Sequence, residues 1–159
     1  LLVFRCFLLF ERKKWYYDRK VSSYQNSRGK DTAMSIVGIG TDLVKIERME
    51  RAAQSEHFVA RVFGEQERTL FVKRKKAPQM LAANFAAKEA FGKALGTGIM
   101  KEFALDEVQV LRNEHGAPYF AFSGRAQHLM HERRWTAHVS LTHEGEYAAA
   151  FVVFEGECS

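Results

Sequence analysis

The chain has 159 residues, 47% apolar and 27% charged, a composition that buries a core and excludes wholesale disorder. Its formal net charge of +5 hints at nucleic acid, but the excess is local: residues 1–33 carry eight Lys/Arg against three Asp/Glu, and residues 34–159 carry sixteen of each. A neutral domain has no basic footprint, and the longest apolar stretch, Leu1–Phe10 broken by Arg5, falls short of the roughly 20 residues that span a bilayer. Neither a nucleic-acid nor a membrane partner is expected.

Two cysteines, Cys6 and Cys158, lie near opposite ends without metal-ligand spacing. They argue against a disulfide framework or a zinc ribbon and fit a reducing, cytoplasmic setting. Residues 1–33 start apolar and then turn basic, the reverse of a secretory signal. They are expected to be an N-terminal extension, with the domain at 34–159 beginning at Met34, the first methionine. An arm for a membrane surface or nucleic acid, built on Arg12, Lys13, Lys14, Arg19 and Lys20 with Trp15 and Tyr16, is the competing reading.

From Met34 the pattern is clearer. Ser35–Asp42 is short, β-branched and glycine-punctuated, which predicts a buried strand ending near Asp42. Val44 to about Ser55 sets Val44, Ile46 and Met49 among charged residues, an amphipathic helix. A second helical run covers Glu65–Lys75, and its basic end, Lys73–Lys76, reads as solvated. Pro78 suits the first turn of a longer helix that closes at Gly96. Leu105–Arg112 alternates like a strand and pairs with Pro118–Ser123 across NEHGAP. A short helix follows over Arg125–Arg134. Thr136–Thr142 and Tyr147–Glu155 then form a hairpin around EGE. Helices gather in the first half and strands in the second, so the fold class is α+β with a largely antiparallel sheet.

Three groups of residues can carry chemistry. Glu89 and Lys93 stand four apart on the helix, on one face. An ordinary surface pair is the plain reading, but Ala82, Ala83, Ala86, Ala87, Ala90 and Ala94 make the helix small-sided, so long side chains are left standing in a cleft. Gly96-Thr97-Gly98 follows, a turn whose backbone N–H groups can approach an anion. Asp42, after GIGT, either caps the next helix or reaches the sheet rim. With Glu89 it would supply two carboxylates, a set that suits Mg²⁺ together with phosphate oxygens and water. In HVSLTH, alternation puts His138, Ser140 and Thr142 on one face: a polar row, or a merely solvated one.

GIGTDLVKIERM, FAAKEAFGKALGTG, NEHGAPYF and HVSLTHEGEYAAAFVVFE, in that order, resemble the holo-acyl-carrier-protein synthases, the short 4′-phosphopantetheinyl transferases, over nearly all of 34–159. The resemblance implies the 4′-phosphopantetheinyl transferase fold, one domain per subunit. It implies transfer of phosphopantetheine from coenzyme A to a serine of apo-acyl carrier protein, with Mg²⁺, releasing adenosine 3′,5′-bisphosphate. It also implies a homotrimer with interfacial active sites. On this resemblance Asp42 and Glu89 match the metal-binding acids, Lys93 the lysine beside the pyrophosphate, and His138, followed by Ser140, a histidine reaching the coenzyme from a neighbouring subunit. Gly96, Thr97 and Gly98 match the loop near the phosphates, and Pro118 a proline at the adenine end. Lys75 or Lys76 falls where relatives hold the 3′-phosphate, and Arg48 and Arg51 lie on the helix that meets the carrier protein. There are departures: Asn84 stands where many relatives have Arg, Gly92 where they have a hydroxyl or small residue, and Glu47 and Glu50 dilute the basic helix. Lost contacts at Asn84 would be met by Lys88 or lower the coenzyme affinity. The base that takes the serine proton is left open among a metal-bound water, Asp42, Glu89 and His138. Another Mg²⁺-dependent phosphate-handling enzyme, such as a nucleotide hydrolase using the same acids and lysine, is the alternative.

Overall fold

A strand with almost no side chain on one side can lie directly on a helix, and that contact organises this molecule. The computed structural model describes residues 34–74, 78–96 and 102–157. Strand β1 (Met34–Lys45) leads into helix α1 (Ile46–Ala52), followed by α2 (Glu56–Val62), α3 (Glu65–Lys73) and the long α4 (Pro78–Leu95). A 3₁₀ turn (Leu105–Glu107) precedes β2 (Val108–Arg112) and β3 (Pro118–Phe122), then come α5 (Gly124–Arg133), β4 (Thr136–Glu144) and β5 (Tyr147–Glu157). The strands form an antiparallel sheet in the order β1-β5-β4 and a separate β2-β3 hairpin. The expected α+β class and antiparallel pairing are what the chain adopts. Among the described residues no helix is long and apolar enough to cross a membrane.

Helix α4 lies across the inner face of the three-stranded sheet. A Cβ on Gly40 would overlap the carbonyl oxygen of Ala90, and one on Gly38 would overlap that of Ala94. Only glycine permits so close an approach between strand and helix backbones. The alanines predicted to make the helix small-sided are buried here: Ala82, Ala83, Ala86, Ala87, Ala90 and Ala94. Phe91 anchors the centre, its ring edge-on to those of Phe154 (4.9 Å), Phe103 and Phe120 (both 5.3 Å). Truncating such a fully buried ring costs about 3–5 kcal/mol.

Several boundaries shift by a few residues from the sequence reading, and two of the shifts have a plain cause. β1 runs three residues beyond Asp42, because Leu43, Val44 and Lys45 continue to pair with Ala149, Ala148 and Tyr147. Leu105–Glu107 is a 3₁₀ turn instead of strand: the Glu107 carboxylate accepts from the Ala104 backbone N–H at 2.9 Å and closes the turn.

Candidate active site

Asp42 sits inside β1 opposite Ala150, on the row that faces α4. Helix capping is excluded, because α1 begins four residues later, and its N-cap is Lys45. The Gly38 and Gly40 contacts carry β1 along α4 so that Asp42 meets the helix near Glu89 and Lys93. Lys93 donates from Nζ to Asp42 Oδ1 at 2.8 Å and to the Thr41 carbonyl at 2.9 Å. Glu89 is half-buried. Burial and the neighbouring Asp42 charge push its carboxyl pKa up, while Lys93 and Arg48 pull it back. Two carboxylates and an ammonium thus converge, and Arg48 on α1 joins their field.

Among the described residues, no group of three or more His, Cys, Asp or Glu is placed to hold a metal. The donor set at Asp42 and Glu89 is two hard oxygen ligands. Mg²⁺ takes one or two carboxylates and fills its shell with phosphate oxygens and water, so this pair fits Mg²⁺ bound jointly with a phosphorylated ligand. The charge crowding that raises Glu89 is what a divalent cation would relieve.

His138 and Ser140 are not brought to this centre within the chain. They lie on the outer face of the sheet, Ser140 opposite Phe151, and His138 Nε2 is 2.9 Å from Glu155 Oε2. Gly96 ends α4 in the left-handed region at φ 73°. Lys76, Thr97 and Gly98 lie outside the described residues, as do residues 1–33, Lys75 and both cysteines.

Asn84 and Lys88 need correction as coenzyme contacts. Both are fully buried, together with Glu67. Lys88 Nζ donates to Glu67 Oε2 at 2.7 Å, to the Leu105 carbonyl at 2.8 Å and to the Val108 carbonyl. Three acceptors around one nitrogen require the ammonium form. Glu67, in turn, accepts from the backbone N–H groups of Gly64 and Val110 and from Asn84 Nδ2. Burial pushes the Glu67 carboxyl up and the Lys88 ammonium down, and each partner's charge pulls the other back. The network ties α3, α4 and β2 together inside the core, so neither Asn84 nor Lys88 is open to a ligand.

A second concavity was not anticipated. A cavity of about 590 Å³ is lined by Arg74, Gln79, Ala83, Arg112, Pro118 and Thr142, with His143 and Leu141 at the end of β4. Of the residues singled out in the sequence as coenzyme contacts, Pro118 lines it. Little in the sequence marks the rest: Arg112 is a lone charge in VQVLR, and His143 ends HVSLTH outside the row of His138, Ser140 and Thr142.

The fold is that of a known class of transferase. The family model described as "4'-phosphopantetheinyl transferase superfamily" matches residues 38–152, and the chain belongs to that superfamily, a family of enzymes. It is 42% identical over 125 residues to the holo-[acyl-carrier-protein] synthase of Vibrio vulnificus, covering 77% of this chain and 99% of that one. Among solved structures it resembles the holo-[acyl-carrier-protein] synthase of Neisseria meningitidis (TM-score 0.70, 32% identity, 76% of this chain and 98% of that one). A Bacillus anthracis holo-(acyl-carrier-protein) synthase in complex with CoA (3',5'-ADP) is similar at TM-score 0.65 and 35% identity, over 79% of this chain and 100% of that one.

Proposed function

We propose that this chain transfers 4′-phosphopantetheine from coenzyme A to a serine of an apo-acyl carrier protein, with Mg²⁺ as cofactor. The observation that carries this reading is the meeting of Asp42, Glu89 and Lys93 in a member of this family. The serine hydroxyl attacks the β-phosphorus, the bond from that phosphorus to the bridging oxygen breaks, and the oxygen leaves with adenosine 3′,5′-bisphosphate. Such transfers need positioning and charge neutralisation more than covalent help. Mg²⁺, when bound, supplies Lewis-acid neutralisation at the pyrophosphate. Asp42 and Glu89 would hold it. Lys93, already poised beside Asp42, can swing its ammonium to a phosphate oxygen. The serine proton passes to one of the two carboxylates, to water, or to His138 contributed by another copy.

The copies are proposed to form a homotrimer with shared sites, and two observations support their association. Ile39 and Leu43 of β1 and Phe151 of β5 are about half exposed (56%, 63% and 47%) on one outer sheet face, an apolar patch that monomers rarely leave open. Moreover, Met80 and Glu89 are nine residues apart on α4, about half a turn around the helix. The cavity beside Met80 and the carboxylates beside Glu89 therefore lie on different sides of α4, and a coenzyme that uses both is bridged between copies. Arg48 and Arg51 on the exposed side of α1 fit an acidic carrier protein, whose binding should then weaken as salt rises. The domain is placed at 34–159 in the cytoplasm, and removal of residues 1–33 should leave transfer intact.

The test is mass spectrometry of apo-carrier protein incubated with enzyme, coenzyme A and Mg²⁺. The carrier gains the phosphopantetheine mass, the gain disappears with chelator, and Glu89→Gln abolishes it without unfolding. Undiminished transfer by Glu89→Gln removes the carboxylate pair from the reaction. Nucleotide release without a mass gain favours a hydrolase.

A further inference from the structure

The place beside Asp42 is already taken by a cation of the chain itself. Lys93 Nζ donates to Asp42 Oδ1 at 2.8 Å and to the Thr41 carbonyl at 2.9 Å. The two acceptors differ in kind. The carboxylate can turn, whereas the carbonyl is held by the pairing of β1 with β5, so together they make a seat for one cation. The Asp42 side chain is 17% exposed and that of Lys93 54%. The acid is therefore the sheltered member of the pair, and the ammonium is the one able to leave. Among the described residues Asp42 has no other ion-pair partner, and an emptied seat would leave a largely buried charge without an offset. One turn back on α4, burial and the Asp42 charge raise the pKa of Glu89, while Lys93 and Arg48 lower it. Two carboxylates are thus balanced by two cations, and the centre is formally neutral with no metal in it. A divalent cation entering alone meets Lys93 in its seat and leaves the centre with an excess of positive charge. The diphosphate of coenzyme A removes that excess, because it brings negative charge of its own and oxygen acceptors for a displaced ammonium.

We infer that Lys93 is the resident counter-ion of Asp42: it fills the cation seat of the free protein, opposes Mg²⁺ entering alone, and yields when a diphosphate receives its ammonium. Metal and coenzyme then bind cooperatively, each opening the place of the other. The inference rests on the transfer reading for the identity of both ligands. By linkage, the factor by which coenzyme A tightens Mg²⁺ equals the factor by which Mg²⁺ tightens coenzyme A. An ion pair with one exposed partner is broken at little cost, so the seat is a light latch that substrate can open. The metal accordingly arrives with the coenzyme and not ahead of it.

The experiment is calorimetric titration of the full chain with Mg²⁺, alone and with saturating coenzyme A. Wild type should bind Mg²⁺ about tenfold more tightly, or better, when coenzyme A is present. Lys93→Met empties the seat. Mg²⁺ alone should then bind about threefold more tightly than to wild type, and the gain from coenzyme A should fall below about threefold. Should Lys93→Met not fold, Lys93→Ala carries the same test. Arg48→Gln removes an equal charge without touching the seat and should change Mg²⁺ affinity by less than about twofold. Equal tightening by Arg48→Gln marks a diffuse field and overturns the exchange. An unchanged or weakened Mg²⁺ affinity in the Lys93 variants overturns it too, as does a gain from coenzyme A that survives in them or is missing from wild type. Each of these results leaves the transfer reading standing so long as coenzyme A binds. Failure of coenzyme A to bind with or without Mg²⁺ overturns the transfer reading itself, and this inference with it.

Discussion

Lys88→Met removes the cation from the buried network while keeping a side chain of similar length and volume. Glu67 then stays in the core with only neutral N–H donors around it, and the carbonyls of Leu105 and Val108 lose their donor. Stranding one partner of a buried pair costs about 3–5 kcal/mol, which for a domain of this size lowers the midpoint of thermal unfolding by roughly 10–20 °C. The loss should depend on pH. Without Lys88, burial raises the folded-state pKa of Glu67 still further above its unfolded value. The folded state then binds a proton that the unfolded state has released. The variant is therefore least impaired in acid, where the carboxyl is neutral in both states, and loses stability as pH rises through the interval between the two values. Adding Glu67→Gln removes the stranded charge and should recover about 1–2 kcal/mol. Denaturant unfolding between about pH 5 and 8 measures all of this, and coenzyme affinity of the folded variant should stay within about twofold of wild type. A loss below about 1 kcal/mol that is flat with pH, or a tenfold drop in coenzyme affinity at unchanged stability, would refute the burial of this pair.

Further outcomes follow from the same geometry. Gly40→Ala drives a methyl into the Ala90 carbonyl and should cost at least 1–3 kcal/mol. It should also reduce transfer more than the unfolded fraction explains, because β1 carries Asp42; chemical denaturation alongside the mass assay separates the two effects. Mg²⁺ should raise the unfolding temperature at neutral pH. The rise should shrink as pH falls through the elevated pKa of Glu89, since a cation competes with the proton there; scanning calorimetry with and without Mg²⁺ tests the sign. On the proposed trimeric assembly, Phe151→Asp on the outer sheet face should yield monomer in sedimentation velocity and abolish activity while leaving the fold intact by circular dichroism.

The outline of the fold was legible because it rests on short-range signals. Alternation in Tyr147–Glu155, the turn at EGE and the Pro78 start of α4 each mark their own element, and the run of alanines anticipated a helix packed tightly against a neighbour. Asp42 alone read equally as a helix cap, and it was the family motifs that set it with Glu89 and Lys93; the glycine–alanine contact that brings strand and helix together is visible only in the fold. The buried network was not. Glu67 lies in a polar run, whereas Asn84 and Lys88 stand among alanines and Arg112 ends VQVLR, and only the packing of α3 and β2 over α4 shows that they pair. Arg112 escaped for the same reason. What fixes its position is an amide 28 residues away in the chain, a relation no periodicity carries.

The notch where Gly38 and Gly40 receive the backbone of α4 acts as a key as well as a contact. A slip of β1 by one residue would drive Ile39 into the carbonyl of the helix and meet steric refusal at once, so alternative alignments of the edge strand are shut out during folding. The distance between the strand's aspartate and the helix's glutamate is consequently machined by hydrocarbon and glycine, away from any charge. In the proposed reaction lysine, cation and substrate would exchange places between those two acids while the frame that spaces them stays still.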